Sequence, residues 1–308
     1  MSPQPAALAA PSVLPSAEMP LWTEIGSGDG PTVLLTGGVH GDEYEAQVVL
    51  RQLAARIDPA RLTGRLRIVP IVNHPAACAG LRVAAEDGQN MNRVFPGQPD
   101  GTLTERIADW LVTRIFPGAD LLIDVHAGGR DVAVVPMVFG FSSASCRIGP
   151  EALRPILHGW GYRFVQHMDC VPGTICHAAL QDGLASVEVE GGGGALRSDA
   201  LEVMTGGILN GLVACGVMAG TVPAFDGIEF DVPESAQIYA PARGVVEHVV
   251  PLGARVEAGQ TIALLHVLDG PAGPPRPIAA PGGGIVLRQS QSAWLAQGRQ
   301  IGNIGIPR

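Results

Sequence analysis

Up to about Gly220, apolar residues fall in short unbroken runs separated by stretches of helical spacing. Val33–Leu35, Leu66–Val72, Leu121–Val125 and Ala185–Val189 are aliphatic and bounded by Gly, Pro or Asp. A strand with one wet face alternates apolar and polar positions, so runs apolar throughout predict strands covered on both faces. Glu43–Arg56 and Thr104–Phe116 carry apolar positions at the helical period, and Thr102 with Glu105 forms a capping-box pattern. This alternation predicts an α/β domain with a mixed or parallel sheet, the architecture that places ligands at strand ends.

Beyond Gly220 the pattern changes to short β-like runs punctuated by Gly and Pro, with no convincing helix. Ala240-Pro241-Ala242-Arg243-Gly244-Val245-Val246 is echoed by Ala280-Pro281-Gly282-Gly283-Gly284-Ile285-Val286, and each is followed by a Gly turn and another β run, Gly253–Leu265 and Gly298–Ile304. The quasi-repeat resembles the two halves of a biotinyl/lipoyl-type β-sandwich. No lysine is available for modification, and Gly270–Arg276 occupies the hairpin region. The division expected is a flexible tail over residues 1–20, a catalytic domain over 21–220 and a C-terminal β-rich module over 221–308.

Composition narrows the chemistry. Of 308 residues, 46% are hydrophobic and 16% charged, the balance of a well-buried globular protein. A net charge of −9 argues against nucleic acid as a partner. All 20 basic residues are arginine, which removes Schiff-base, Walker-type and lysine-linked cofactor chemistry. The five cysteines are scattered and lack CxxC spacing, as expected of free thiols in the cytoplasm. Met1–Met19 reads as neither a signal peptide nor a membrane anchor, and no run approaches bilayer-spanning length, so no membrane partner is expected.

Four segments carry candidate chemistry. Gly37-Gly38-Val39-His40-Gly41-Asp42-Glu43 and Ile123-Asp124-Val125-His126-Ala127-Gly128-Gly129 each begin where an apolar run ends. His40 and Glu43, three residues apart at a strand-to-loop break, can reach one point, and His126 arrives at another strand end. An HxxE pair alone matches many unrelated chains. With a distant His it makes the ligand set of a catalytic zinc site, whose fourth position is left open. Asn90-Met91-Asn92-Arg93-Val94-Phe95-Pro96-Gly97 offers an amide and a guanidinium suited to a carboxylate, and Arg82 is a second cation in the same loop-like stretch. In Ser186-Val187-Glu188-Val189-Glu190-Gly191, two glutamates interrupt an apolar strand on one face. A carboxylate there is costly unless paired or functional; one of the two suits a general base and the other a structural ion pair.

In this order and spacing, HGDE, NRVFPG, DVHAGG and VEVEGGGG resemble the succinylglutamate desuccinylase/aspartoacylase family, related to zinc carboxypeptidases, over roughly Trp22–Gly220. Within it, Thr36–Glu45 and Asn90–Asp109 are most similar to the ectoine-utilisation deacetylases acting on Nα-acetyl-L-2,4-diaminobutyrate. The resemblance implies a zinc-carboxypeptidase-like mixed sheet flanked by helices, with a C-terminal all-β barrel-sandwich-like module. It implies one Zn2+ per chain on His40, Glu43 and His126, with Glu188 as general base and Arg82 supporting the scissile carbonyl. Asn92 and Arg93 would bind the substrate carboxylate. Glu190 stands where those deacetylases usually carry glycine in a Glu-Leu-Gly-Gly pattern, and is a substrate-binding candidate. The function expected is deacylation of a small N-acyl amino acid. The alternatives are a carboxypeptidase-like peptidase, a desuccinylase or aspartoacylase acting on an acidic substrate, and a non-catalytic binding protein. The expected partner is the small substrate, and a homo-oligomer stays open.

Overall fold

The computed structural model describes residues 20–269, 271 and 273–308. The tail expected over residues 1–20 lies, except for Pro20, outside the described residues, as do Gly270 and Ala272 of the hairpin stretch. The chain forms β1 (Thr23–Ile25), β2 (Thr32–Gly37), α1 (Tyr44–Arg56), β3 (Arg65–Val69), α2 (His74–Ala79), α3 (Leu103–Trp110), β4 (Leu121–Val125) and β5 (Val132–Phe141). There follow α4 (Pro150–His158), β6 (Phe164–His167), α5 (Ile175–Gln181), β7 (Ala185–Gly192), α6 (Ser198–Ala214) and β8 (Ile228–Asp231). The remainder is β9 (Gln237–Tyr239), β10 (Gly244–His248), β11 (Arg255–Val256), β12 (Thr261–Val267), β13 (Arg276–Ala279), β14 (Gly284–Ser290), β15 (Trp294–Leu295) and β16 (Gln300–Pro307).

The α/β part is built on a mixed sheet in the order β1-β3-β2-β4-β7-β5-β6-β8. Strands β3, β2, β4 and β7 run parallel, while β1 and β5 are antiparallel to β3 and β7. The runs of β2 and β4 are almost wholly apolar because each of these strands feeds two cores, whereas β7 gives one face to a core and the other to the cavity. Val33, Leu35, Leu121 and Ile123 pack with Leu50 of α1 and Ile208 of α6, whereas Leu34 and Leu122 pack with Ile107 of α3 and Ile175 of α5. Each fully buried aliphatic side chain in these layers contributes roughly 1.5–3 kcal/mol relative to exposure.

Two expected elements differ in extent. Strand β3 stops at Val69, short of Val72, because Pro70 has no N–H for a ladder bond; Val72 instead donates its N–H to the carbonyl of Gly37 at 2.8 Å. The helix expected to reach Phe116 is α-helical only to Trp110 and widens into a π turn over Leu111–Ile115. Its N-terminus carries the capping box: Thr102 Oγ1 accepts from the Glu105 N–H, and Glu105 returns the bond to the Thr102 N–H at 2.8 Å.

After Gly220 the described residues form strands and one short 3-10 turn, Glu234–Ala236. The two echoing stretches become β10 and β14, and they exchange partners. Gly244 of β10 pairs with Leu295 of β15, while Gly284 of β14 pairs with Val256 of β11. Ala240, Val246 and Leu265 from one half and Ala280, Val286 and Ile304 from the other fill a single core. Strand pairing crosses the compositional boundary near Gly220: β8 runs parallel to β6, and β14 pairs with the start of β5. No helix among the described residues is long and apolar enough to cross a membrane.

Candidate active site

All eight residues singled out from the sequence line one cavity of about 620 Å³: His40, Glu43, Arg82, Asn92, Arg93, His126, Glu188 and Glu190. It lies at the ends of the parallel strands. His40, Asp42 and Glu43 sit in the turn between β2 and α1. Gly38 takes φ +62, and Gly41 lies so close to the α2 backbone that a Cβ would stand 2.2 Å from the Ala76 carbonyl carbon. Glycine at both positions is a steric requirement of this turn.

Glu43 is the hub. His40 Nδ1 lies 2.8 Å from its Oε1 and His126 Nδ1 lies 2.7 Å from its Oε2, and these ligand atoms all fall within 4.8 Å of one another. Arg82 donates to Oε1 at 2.9 Å and the Ala127 N–H to Oε2 at 3.1 Å. Burial opposes ionisation of Glu43, but the charges of His40 and His126 and their hydrogen bonds pull harder, holding the carboxyl well below its usual range. For His126, burial is likewise outweighed, here by Asp124 and then Glu43, and its pKa stands well above the ordinary imidazole value.

The outer nitrogens of both imidazoles are also committed. His40 Nε2 donates to Asn90 Oδ1 at 3.1 Å, and His126 Nε2 donates to Asp124 Oδ2 at 2.6 Å. Asp124 accepts a further bond from the Thr36 hydroxyl at 2.7 Å, and Asn90 Oδ1 one from the Asn92 N–H at 3.0 Å. Two imidazoles turned with Nδ1 toward one carboxylate, each steadied through Nε2, make a cluster that could hold a metal ion, with outer partners already in place. The donor set fits Zn2+. Asp124 and Asn90 had not been assigned roles from the sequence. A carboxylate inside the apolar β4 run was the available signal for Asp124, the same signal that drew attention to Glu188.

Strand β7 brings Glu188 and Glu190 to the cavity while Ala185, Val187 and Val189 enter the core on its other face. Burial raises the Glu188 carboxyl to about 7, partly offset by His126, and the buried Cys176 thiol lies 3.7 Å from Glu188 Oε2 as a weak donor. Burial raises Glu190 to about 8 against the pull of Arg288, whose guanidinium is 3.8 Å away. Asn92 is buried and its Oδ1 accepts from the Ile175 N–H at 2.9 Å, leaving its amide nitrogen as a donor; Arg93 is exposed at the rim. Glu45 in α1 accepts from the Gly193 N–H at 2.8 Å and so ties down the glycine loop after β7.

One wall comes from the C-terminal strands: Gln237, Arg288, Arg299 and Asn303 line the same cavity. No motif marked them. They reach the site because β5 pairs with β7 on one side and β14 on the other.

This geometry has relatives. The succinylglutamate desuccinylase/aspartoacylase catalytic domain matches residues 29–214. The N-alpha-acetyl-L-2,4-diaminobutyric acid deacetylase of Halomonas elongata is 37% identical over 253 residues, 79% of this chain and 73% of that protein. The product-bound structure of the ectoine utilisation protein EutE (DoeB) from Ruegeria pomeroyi superposes with TM-score 0.85 at 32% identity, covering 92% of this chain and 88% of that one. A succinylglutamate desuccinylase/aspartoacylase from Rhodobacter sphaeroides gives TM-score 0.85 at 29% identity, over 94% of both chains. On the extent of the domain match and the identity to the Halomonas protein, this chain belongs to the succinylglutamate desuccinylase/aspartoacylase family of deacylases.

Proposed function

We propose that this protein is a zinc-dependent amidohydrolase that removes the acyl group from a small N-acyl amino acid, Nα-acetyl-L-2,4-diaminobutyrate or a close relative of it. The observation that carries the reading is the meeting of His40, Glu43 and His126 with Glu188 at one cavity. Zn2+ held by the first three would supply Lewis acidity and make water a competent nucleophile near neutral pH. Glu188 takes the proton of the attacking water and returns it to the leaving nitrogen; a carboxyl raised toward neutrality is suited to both transfers. Arg82 offers N–H groups to the oxygen on which charge develops. The amide nitrogen of Asn92 and the guanidinium of Arg93 hold the substrate carboxylate.

In this reading residues 21–220 carry the metal and the base, residues 221–308 complete the cavity, and five free cysteines suit a cytoplasmic protein. The likeness to zinc carboxypeptidases and the barrel-sandwich form of the C-terminal strands belong to the same proposal. The breadth of the cavity, about 620 Å³, favours carboxypeptidase-like cleavage of short peptides as a second reading. Zinc-loaded protein assayed on N-acetyl, N-succinyl and N-formyl amino acids, with their carboxamide analogues and short peptides alongside, separates these. Release of acetate from acyl amino acids with free carboxylates is the expected result. Preferred cleavage of peptides, or equal activity on acids and carboxamides, would defeat the first reading.

A further inference from the structure

Among the described residues, the Glu188 carboxylate has one hydrogen-bonded side-chain partner, the Cys176 thiol 3.7 Å from Oε2. Cys176 is the second residue of α5 and is fully buried. Burial, and next the charge of Glu188, hold the thiol well above its ordinary pKa, so the sulfur keeps its proton and donates. A buried cysteine more often serves as a small apolar core residue, and Cys176 does pack in one layer with Ile175 and Phe139. The turn that carries it points to more. The Gly173 carbonyl accepts from the Phe95 N–H at 3.1 Å, and Gly173, at φ +81, lies so near the Asn92–Arg93 loop that a Cβ would stand 2.5 Å from the Arg93 carbonyl oxygen. Thr174 Oγ1 accepts from the His177 N–H at 3.1 Å and starts α5, and the Ile175 N–H is held by Asn92. One end of this turn is fastened to the Asn92–Arg93 loop, and the other end reaches Glu188.

We propose that Cys176 is a positioning residue for the general base: its S–H holds Oε2 of Glu188 and leaves Oε1 for the attacking water. Through the same turn, the base is kept in register with the loop assigned to the substrate carboxylate. The inference deepens the deacylase reading and rests on it for the reaction served. A glutamate carboxylate turns broadly about its last torsion, whereas proton transfer requires one oxygen within hydrogen-bond reach of the water. The ionisable neighbours that bear on Glu188 do not orient it, because His126, Asp124 and Glu43 are committed to one another. The thiol is left to do so. As a weak donor it fixes the oxygen without competing strongly for the electron pair that must take the proton.

The test combines steady-state kinetics of the zinc-loaded full chain on Nα-acetyl-2,4-diaminobutyrate with infrared spectroscopy of the S–H stretch. Cys176→Ala should lower kcat roughly tenfold, the weight of one hydrogen bond to a charged group, with KM and zinc content within about twofold of the parent. Cys176→Ser restores a donor and should recover kcat to within about threefold of the parent. A role in packing alone predicts the reverse order, since alanine keeps the site apolar and serine buries a hydroxyl there. The infrared arm reads the contact without turnover and covers the case in which the cysteine variants fail to fold. In Glu188→Ala one S–H band should rise in frequency, and a folded Cys176→Ala should lack that band. Full turnover in Cys176→Ala, serine no better than alanine, a loss carried by KM or by zinc content, or S–H bands unmoved by Glu188→Ala would each overturn the proposal. If the band moves as expected and the parent hydrolyses no acyl amino acid, the hold of the thiol on Glu188 stands and the deacylase reading falls.

Discussion

Asp124 gives the sharpest test of the proposed metal site because it meets the site through His126 and does not itself line the cavity. Its side chain is fully buried, with one oxygen 2.6 Å from His126 Nε2 and the other accepting from Thr36. Removing an outer partner of a ligating imidazole costs about 10–100-fold in metal affinity, roughly 1.4–2.8 kcal/mol. Asp124→Asn keeps an amide oxygen for the imidazole and should fall at the lower end. Asp124→Ala frees the ring and orphans the Thr36 hydroxyl, so it should reach the upper end and lose a further ~1–3 kcal/mol of fold stability. Competition with a chromophoric chelator reads the zinc affinity, and thermal melts read the stability. The pH dependence adds an internal check. Asp124 and Glu43 raise the His126 pKa, and the proton must leave before Nδ1 can bind metal, so affinity should climb with pH above the ordinary imidazole range. In Asp124→Asn the climb should finish at lower pH. Zinc affinity of Asp124→Ala within twofold of the parent would refute this account of the site.

Glu188→Gln should keep its zinc and lose roughly 10²–10⁴-fold in turnover, the usual weight of a general base, with metal content by mass spectrometry separating this from site collapse. In metal-stripped protein, the raised His126 pKa contributes stability that is whole below the unfolded value of 6.5 and lost as pH rises through the higher folded value. The lowered Glu43 pKa contributes above 4.5 and is lost as pH falls through its folded value, so chelator-treated melts should peak between these limits and decline on the alkaline side. Gly211→Ala places a Cβ 2.3 Å from the buried Trp160 ring and should destabilise by about 1–3 kcal/mol in chemical denaturation, with zinc affinity little changed. A chain ending near Gly220 loses the β8 and β14 pairings, bares the β6 edge and Phe164, and should aggregate on light scattering where the full chain does not.

Much of the site was legible locally. His40 and Glu43 share one tight turn, and Glu188 and Glu190 share one strand face, so neighbouring residues alone determine that each pair acts together. The apolar runs of β2 and β4 identified strands covered on both sides, and the Thr102–Glu105 capping box placed a helix start to the residue. The quasi-repeat at Ala240 and Ala280 foretold two similar halves. It could not tell that they exchange β11 and β15, since strand partners are chosen by long-range closure and not by local pattern.

What only the tertiary structure decided lies across large sequence separations. His126 joins the turn at Glu43 because β4 lies beside β2, and Asp124 becomes its outer partner because the same strand buries it against Thr36. The pairing of Arg288 with Glu190 depends on β5, a strand with no motif, holding β7 on one edge and β14 on the other. An arginine among Gln and Ser residues near the chain end reads as a solvated surface position. Only the sheet that crosses from one part of the chain to the other carries it to the cavity wall beside Glu190.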